Sequence, residues 1–200
     1  AFSNKTIKKV LNKRNVEYEK LDDKELTKRA AELISENKVI SWFQGKMEWG
    51  PRALGNRSIL ANPKNENMVD ILNRKVKHRE EFRPFAPSVI WNKAPEYFDI
   101  EYESPYMLFV FDVKDSKKDE IPAVTHINGT SRIQTIREKN NPKYYDLIKK
   151  FGNITGIPIL LNTSFNTRGE PIVCTPEDAY NCFSKTNIDY MVMGNFLVSK

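Results

Sequence analysis

Two cysteines and two histidines are all that the 200 residues hold of those types, and the scarcity excludes several chemistries at once. Cys174 and Cys182 follow no metal-ligand or CxxC spacing, so neither a zinc site nor a dithiol redox centre is expected. Cys182 lies in a stretch of helical apolar spacing and reads as a small buried thiol. A reducing, cytoplasmic setting fits this cysteine use. His78 and His126 are far apart in sequence and have no cysteine nearby, which argues against a histidine-built zinc site. No apolar run exceeds about five residues, against the ~20 that a membrane span needs. The opening AFSNKTIKKVLNKRN is polar and lysine-rich, without the apolar core of a leader peptide. There is no Walker loop, no dinucleotide GxGxxG, no Ser/His/Asp or Cys/His set and no internal repeat. Chemistry carried by such a chain rests on positioning and charge neutralisation, as in phosphoryl and nucleotidyl transfer.

What is present is a globular composition, 40% hydrophobic and 11% aromatic, long enough to bury a sizeable core. A net charge of +6 suits an anionic ligand or a polyanion and singles out neither. Asp22-Asp23 opens a helix with Leu26, Ala30, Leu33 and Ile34 on one face. VISWF (39–43) reads as a buried strand. Asn62-Pro63, Asn141-Pro142 and Thr175-Pro176 each read as a helix start, with a side-chain cap before a proline. Strands are expected at 88–91, 107–113 and 131–136, along IPILL, and in the final DYMVMG and FLVSK. The alternation of helices and strands gives a mixed α/β layer fold, with only the first 20 residues separable as a peripheral helix or linker.

Four polar clusters punctuate these elements. In GKMEWGPRALGNRSIL, glycines allow close backbone approach, exposed amides can cradle an anion, and Arg52 and Arg57 add planar forks. On pattern alone a tight connector with solvated arginines is an equal alternative. In NRKVKHREEFRPFAP, Arg74 and Lys77 read as a solvated helix end. Lys75 and Arg79 share a face, and Arg83 is boxed among Phe82, Pro84, Phe85 and Pro87. Thr130 and Arg132 follow a glycine turn in HINGTSRIQ. Asn162, Ser164 and Asn166 end a strand in LLNTSFN, where turn chemistry competes with ligand binding.

WFQGKMEWGPRALGNRSILANP, FRPFAPSV, HINGTSRIQTI, NNPKYYDLIKKFGNITGIPILLNTSFNTRGEPIVCTPEDA and MGNFLV resemble the C-terminal domain of the NodU/CmcH-type O-carbamoyltransferases, over nearly the whole chain from about Leu21. The resemblance implies a YrdC/Sua5-like domain over 21–200: a twisted open mixed sheet flanked by helices, with a basic nucleotide-binding cavity. Such a domain makes carbamoyl adenylate from carbamoyl phosphate and ATP and releases pyrophosphate and phosphate. The adenylate passes to an N-terminal Kae1-like domain, outside this chain, which holds a metal and carbamoylates a hydroxyl. Mg²⁺ is expected to accompany ATP, with no metal held by this chain itself. Residue by residue, the resemblance carries over Arg52, Arg57, Lys75, Arg79, Arg83, Thr130, Arg132, Asn162, Ser164 and Asn166 as the ATP and carbamoyl-phosphate set. Arg52, Arg83 and Lys75 stand closest to the chemistry, and Asn162, Ser164 and Asn166 hold the carbamoyl group or adenylate. Relatives often have arginine at Lys46, aspartate at Asn128 and alanine at Ser131. Neither nucleic acid nor membrane is expected as a partner. The alternatives are a basic YrdC-like RNA-binding module and a docking or regulatory domain without turnover of its own.

Overall fold

In the structure, a computed structural model that describes residues 1–78 and 83–200, helix starts are set by side chains that satisfy the first free amides. Ser3 caps α1 (Asn4–Lys13) by accepting from the Thr6 amide at 3.2 Å. After β1 (Glu19–Lys20), Asp22 caps α2 (Asp23–Ser35) in a reciprocal box with Glu25. Strands β2 (Ile40–Phe43) and β3 (Arg57–Ala61) flank the glycine-rich loop. Asn62 does not start a helix. Its Oδ1 accepts from the Lys64 amide at 3.0 Å in a local turn, and α3 begins later, at Met68–Leu72. This helix widens into a π turn over Asn73–Lys77, closed by the His78 amide on the Asn73 carbonyl.

Beyond it come β4 (Ala86–Ile90), α4 (Ala94–Tyr97), β5 (Phe111–Asp112), β6 (Thr130–Ser131) and β7 (Gln134–Ile136). The expected strand over 107–113 is thus only its end. The expected strand over 131–136 is split: β6 pairs with β5 in a small two-stranded sheet, while β7 joins the main sheet beside β4. Arg132 falls on the break. Asn141 and Thr175 do cap α5 (Pro142–Thr155) and α6 (Pro176–Lys185), on either side of β8 (Ile159–Ser164). The chain ends in β9 (Tyr190–Met193) and β10 (Phe196–Ser199).

The main sheet runs β1-β10-β9-β2-β3-β8-β4-β7, with parallel pairs at β2–β9 and β4–β7 and antiparallel pairs elsewhere. Both faces are covered. Leu26, Ala30 and Leu33 of α2 and Tyr144, Leu147 and Phe151 of α5 pack on one face against Trp42, Leu60 and Leu160. Ile7 and Leu11 of α1, Leu72 of α3 and Phe183 of α6 lie on the other, with Phe43, Ile59 and Leu161. Residues 1–20 belong to this body, since α1 buries Ile7, Val10 and Leu11 and β1 pairs with β10. The register brings the end of β2, the start of β3, the end of β8 and the starts of β4 and β7 to one end of the sheet. Three of the four polar clusters, together with Arg83, converge there.

Candidate functional site

The glycine-rich loop holds its own anion. Oε1 of Glu48 accepts from the amides of Leu54, Asn56 and Arg57 at 2.7, 2.8 and 3.1 Å. The amide nest that the sequence offers to a ligand is therefore filled by a carboxylate of the same loop. Glycine is required at the turn. Gly55 has φ +99°, and a Cβ there would stand 2.2 Å from the Tyr144 ring. Replacing Glu48 with glutamine keeps one acceptor but removes its charge, so the three bonds drop to neutral strength. The expected cost is about 1–2 kcal/mol, read as a lowered midpoint in urea unfolding. An unchanged midpoint would show that the carboxylate does not hold the loop.

The two arginines of this loop are placed differently. Arg57 is buried: its guanidinium lies 3.6 Å from the Phe43 ring centre and donates to the Gln44 carbonyl at 2.5 Å and the Asn56 carbonyl at 2.9 Å. Burial lowers its pKa, against the opposing pull of Glu48. Arg52 is exposed, and its charge is felt by Arg132. Arg132 is half-buried and its Nε has no partner. Its pKa is lowered by burial first and by Arg52 second. Arg132 in turn adds to the burial that lowers the pKa of His126, whose Nδ1 lies 3.0 Å from Oγ1 of Thr130. Thr130 Oγ1 also donates to Oδ1 of Asn128 at 2.8 Å. Arg132, His126 and Thr130 thus form one polar group, on which the exposed charge of Arg52 acts.

Asn162 lies between this group and the core. It is buried, paired in register with Leu60 and Ala86, and its Nδ2 is within reach of the Ala53 carbonyl, Ser88 Oγ and Gln134 Oε1 at 3.2, 3.0 and 3.1 Å. Gln134 donates from Nε2 to the Leu54 carbonyl at 3.0 Å. These bonds pin the glycine-rich loop over the ends of β7 and β8. Oδ1 of Asn162 is buried without a partner. Arg83 is exposed, three residues before β4 starts at the same end of the sheet. Neither Arg52, Arg83 nor Arg132 makes an ion pair among the described residues. Arg79 lies outside the described residues.

The largest difference from the sequence expectation concerns two lysines. Lys75 is not brought to the group: its Nζ meets both carboxylate oxygens of Asp189 at 2.7 Å, and Asp189 also accepts from the Val39 amide, at the opposite end of the strands. Lys77, read from sequence as solvated, is buried. Its Nζ reaches the Ser164 carbonyl at 2.6 Å, the Asn166 carbonyl at 3.0 Å and Asn166 Oδ1 at 2.8 Å. Ser164 Oγ donates to Asn166 Oδ1 at 2.7 Å. The π turn is the cause. Bonding i to i+5 returns the fifth residue to the starting face, so Lys77 follows Leu72 inward, whereas an α phase leaves it on the flank. Glu48 is the other residue missed; an acidic side chain just before a loop of free amides was its signal.

Two concavities of about 440 Å³ lie nearby, one lined by Val173, Cys174, Asp178 and Cys182, the other by Gln44, Gly45, Asn56 and Lys143. None of the ten expected site residues lines either, so the basic cavity that the resemblance implies is neither of these. Among the described residues no cluster of three His, Cys, Asp or Glu side chains could hold a metal ion, and no helix is long and apolar enough to cross a membrane.

Known proteins resemble this arrangement in both fold and sequence. P. abyssi Sua5, solved with L-threonine, superposes with a TM-score of 0.62 at 17% identity, over 86% of this chain and 47% of its own. E. coli YciO gives 0.62 at 14%, over 88% and 81%. Full-length HypF in a phosphate- and nucleotide-bound form gives 0.59 at 17%, over 86% and 25%. These likenesses establish a YrdC/Sua5-type fold. In sequence, an uncharacterized protein of Synechocystis sp. is 43% identical over 100% of this chain and 36% of its own length. The nodulation protein NolNO of Sinorhizobium fredii is 47% identical over 93% and 28%. The chain therefore spans about a third of the length of these relatives. The family model described as carbamoyltransferase C-terminus matches residues 31–200, and the chain belongs to that family.

Proposed function

We propose that this chain is the carbamoyl-adenylate-forming part of an O-carbamoyltransferase. The observation that carries the proposal is half-buried Arg132, whose Nε has no partner and which makes no ion pair among the described residues. A cation placed this way is stabilised by an anion brought to it. The reaction supplies negative charge throughout. Water and carbamoyl phosphate give carbamate and phosphate. A carbamate oxygen then attacks the α-phosphorus of ATP, a new P–O bond forms, the α–β bridging bond breaks, and pyrophosphate leaves. Preorganised donors aimed at the transferring phosphoryl group lower such a barrier.

In this reading Arg52, Arg83 and Arg132 take phosphate oxygens, with Thr130 and neutral His126 beside them. Lys77 orients Ser164 and Asn166 and brings positive charge to the carbamoyl end. Arg57 and Asn162 act beneath, holding the loop and strand ends in place. Guanidinium groups offer Mg²⁺ no oxygen, and none of the residues given a ligand role here is a carboxylate, so the ion would arrive on ATP and keep its water and phosphate ligands. Two similarities support the reading: membership of the carbamoyltransferase C-terminus family, and a fold shared with a nucleotide-bound HypF. Transfer to a hydroxyl acceptor would belong to a Kae1-like domain preceding this one in the natural polypeptide.

The test is pyrophosphate release by the natural full-length polypeptide. Release is expected only when ATP and carbamoyl phosphate are both present. Release that ignores carbamoyl phosphate, or none with both present, would refute the proposal.

A further inference from the structure

The net charge of +6 is not spread over the molecule. The first 16 residues hold five of the 32 lysines and arginines and none of the 26 acids, so the remaining 184 residues carry a net charge of only +1. Four of the five, Lys5, Lys8, Lys9 and Lys13, are exposed on α1. At 3.6 residues per turn they fall within roughly 140° of the helix circumference, opposite Ile7, Val10 and Leu11, which are buried. None of the four makes a hydrogen bond or ion pair among the described residues. Arg14 differs: its Nη2 donates to Oδ1 of Asn181 at 3.2 Å and its guanidinium lies 5.4 Å from the centre of the Tyr180 ring, so it is turned toward α6.

This helix is fixed to the body. Asn4 and Asn195 exchange hydrogen bonds at 2.9 and 3.2 Å. Gly194, at φ +57°, lets α1 approach, since a Cβ there would stand 2.7 Å from Cδ1 of Ile7. Lysines three and four apart repel one another (Lys5 with Lys8 and Lys9, Lys9 with Lys13), and α1 has no acid to offset them. A rigid row of like charges without counter-charge gains from a polyanion laid along it. The exposed face decides which polyanion fits. A helix that lies on a membrane buries its apolar face at the headgroup boundary, and α1 has spent that face on the core. Single-stranded nucleic acid is held by bases stacked on aromatic rings, and α1 has none. Charge alone is enough for the backbone of a duplex, where counterion release supplies essentially all sequence-independent binding. Lys5 to Lys13 spans about 12 Å along the helix axis, over which one strand carries about three to four phosphates. We propose that the exposed face of α1 binds the phosphate backbone of duplex nucleic acid without regard to sequence. The expectation of no nucleic-acid partner weighed charge over the whole chain, whereas the structure concentrates it on one helix face. The proposal is independent of the adenylate-forming reading, because α1 contributes no residue to the candidate site.

Its test is fluorescence anisotropy of two labelled duplexes of unrelated sequence with the natural full-length polypeptide, over salt from about 50 to 200 mM. Four phosphate contacts give a slope of about −3.6 in log K against log salt, about a 10²-fold loss of affinity across that range. Changing Lys5, Lys8, Lys9 and Lys13 together to glutamine keeps a good helix former at each position. That variant is expected to lose about three to four units of the slope while circular dichroism and pyrophosphate release stay as in the parent. The control changes Lys28, Lys93, Lys118 and Lys185 to glutamine. It lowers the net charge equally but takes lysines that each face an acid, and it is expected to bind both duplexes as the parent does. No binding at the lowest salt would overturn the proposal, as would equal losses in the two quadruple variants, which would trace binding to net charge. Tighter binding to a single strand or to vesicles of anionic phospholipid, or a preference between the two duplexes, would overturn it as well. Duplex binding through α1 by an enzyme without carbamoyl-phosphate-dependent pyrophosphate release would sink the catalytic reading and leave this surface standing.

Discussion

Lys77→Met in the full-length enzyme is expected to lower carbamoyl-phosphate-dependent pyrophosphate release by about 10²-fold, the cost of misplacing Ser164 and Asn166 once the ammonium that orients them is gone. Lys75→Met, two residues away, is expected to leave that rate within about threefold and to cost about 1 kcal/mol of stability. The difference follows from where each ammonium goes. Lys77 is buried against Ser164 and Asn166, at the end of the sheet where the arginines gather. Lys75 is held by Asp189 at the other end. Methionine fills the lysine stem at either position, so both variants are expected to give native circular dichroism. Lys77→Arg should restore part of the rate, because it returns the charge at the wrong shape. Equal rate losses in the two methionine variants would return Lys75 to the site and break the assignment made from geometry.

These two lysines also mark how far the sequence could be read. Elements set by local chemistry were legible. The boxes at Asp22 and Thr175 and the cap at Asn141 start helices where their side chains predict, because a cap acts within three residues. The mixed fold and the family were legible too, since the motifs are long and ordered. Features decided by distant parts of the chain were not. The π turn that carries Lys77 inward has no composition signal. Asn62-Pro63 has the form of a helix start, yet Asn62 spends its side chain on Lys64 and Asn37. The alternation of 131–136 predicts one strand, but β5 claims its first part and β4 its last, which leaves Arg132 at the break. The amide nest was legible as an anion site, and the anion proved to be Glu48.

Arg57→Ala is expected to destabilise the fold by about 3–5 kcal/mol, while Arg52→Ala changes stability by less than about 0.5 kcal/mol. Both occur in one glycine-studded stretch, and type and spacing do not separate them. Burial does. Removing the Arg57 guanidinium strands the Gln44 carbonyl, takes one of two donors from the Asn56 carbonyl, uncovers the Phe43 ring, and leaves the Glu48 carboxylate without a neighbouring cation. Removing Arg52 strands nothing, because it makes no bond within the described chain. Activity should divide the other way per folded molecule. Arg52→Ala is expected to lose about a hundredfold in pyrophosphate release. Arg57→Ala, assayed at low temperature where it stays folded, should lose activity only as far as the loop loosens. Urea unfolding and the rate assay on the same two variants measure both quantities. An Arg57→Ala enzyme as stable as the parent would mean that its buried hydrogen bonds do not hold the loop, and an Arg52→Ala enzyme of full activity would remove the loop's exposed charge from the chemistry. The stretch therefore carries two arginines for two purposes: one is the floor on which the loop stands, the other is what the loop presents.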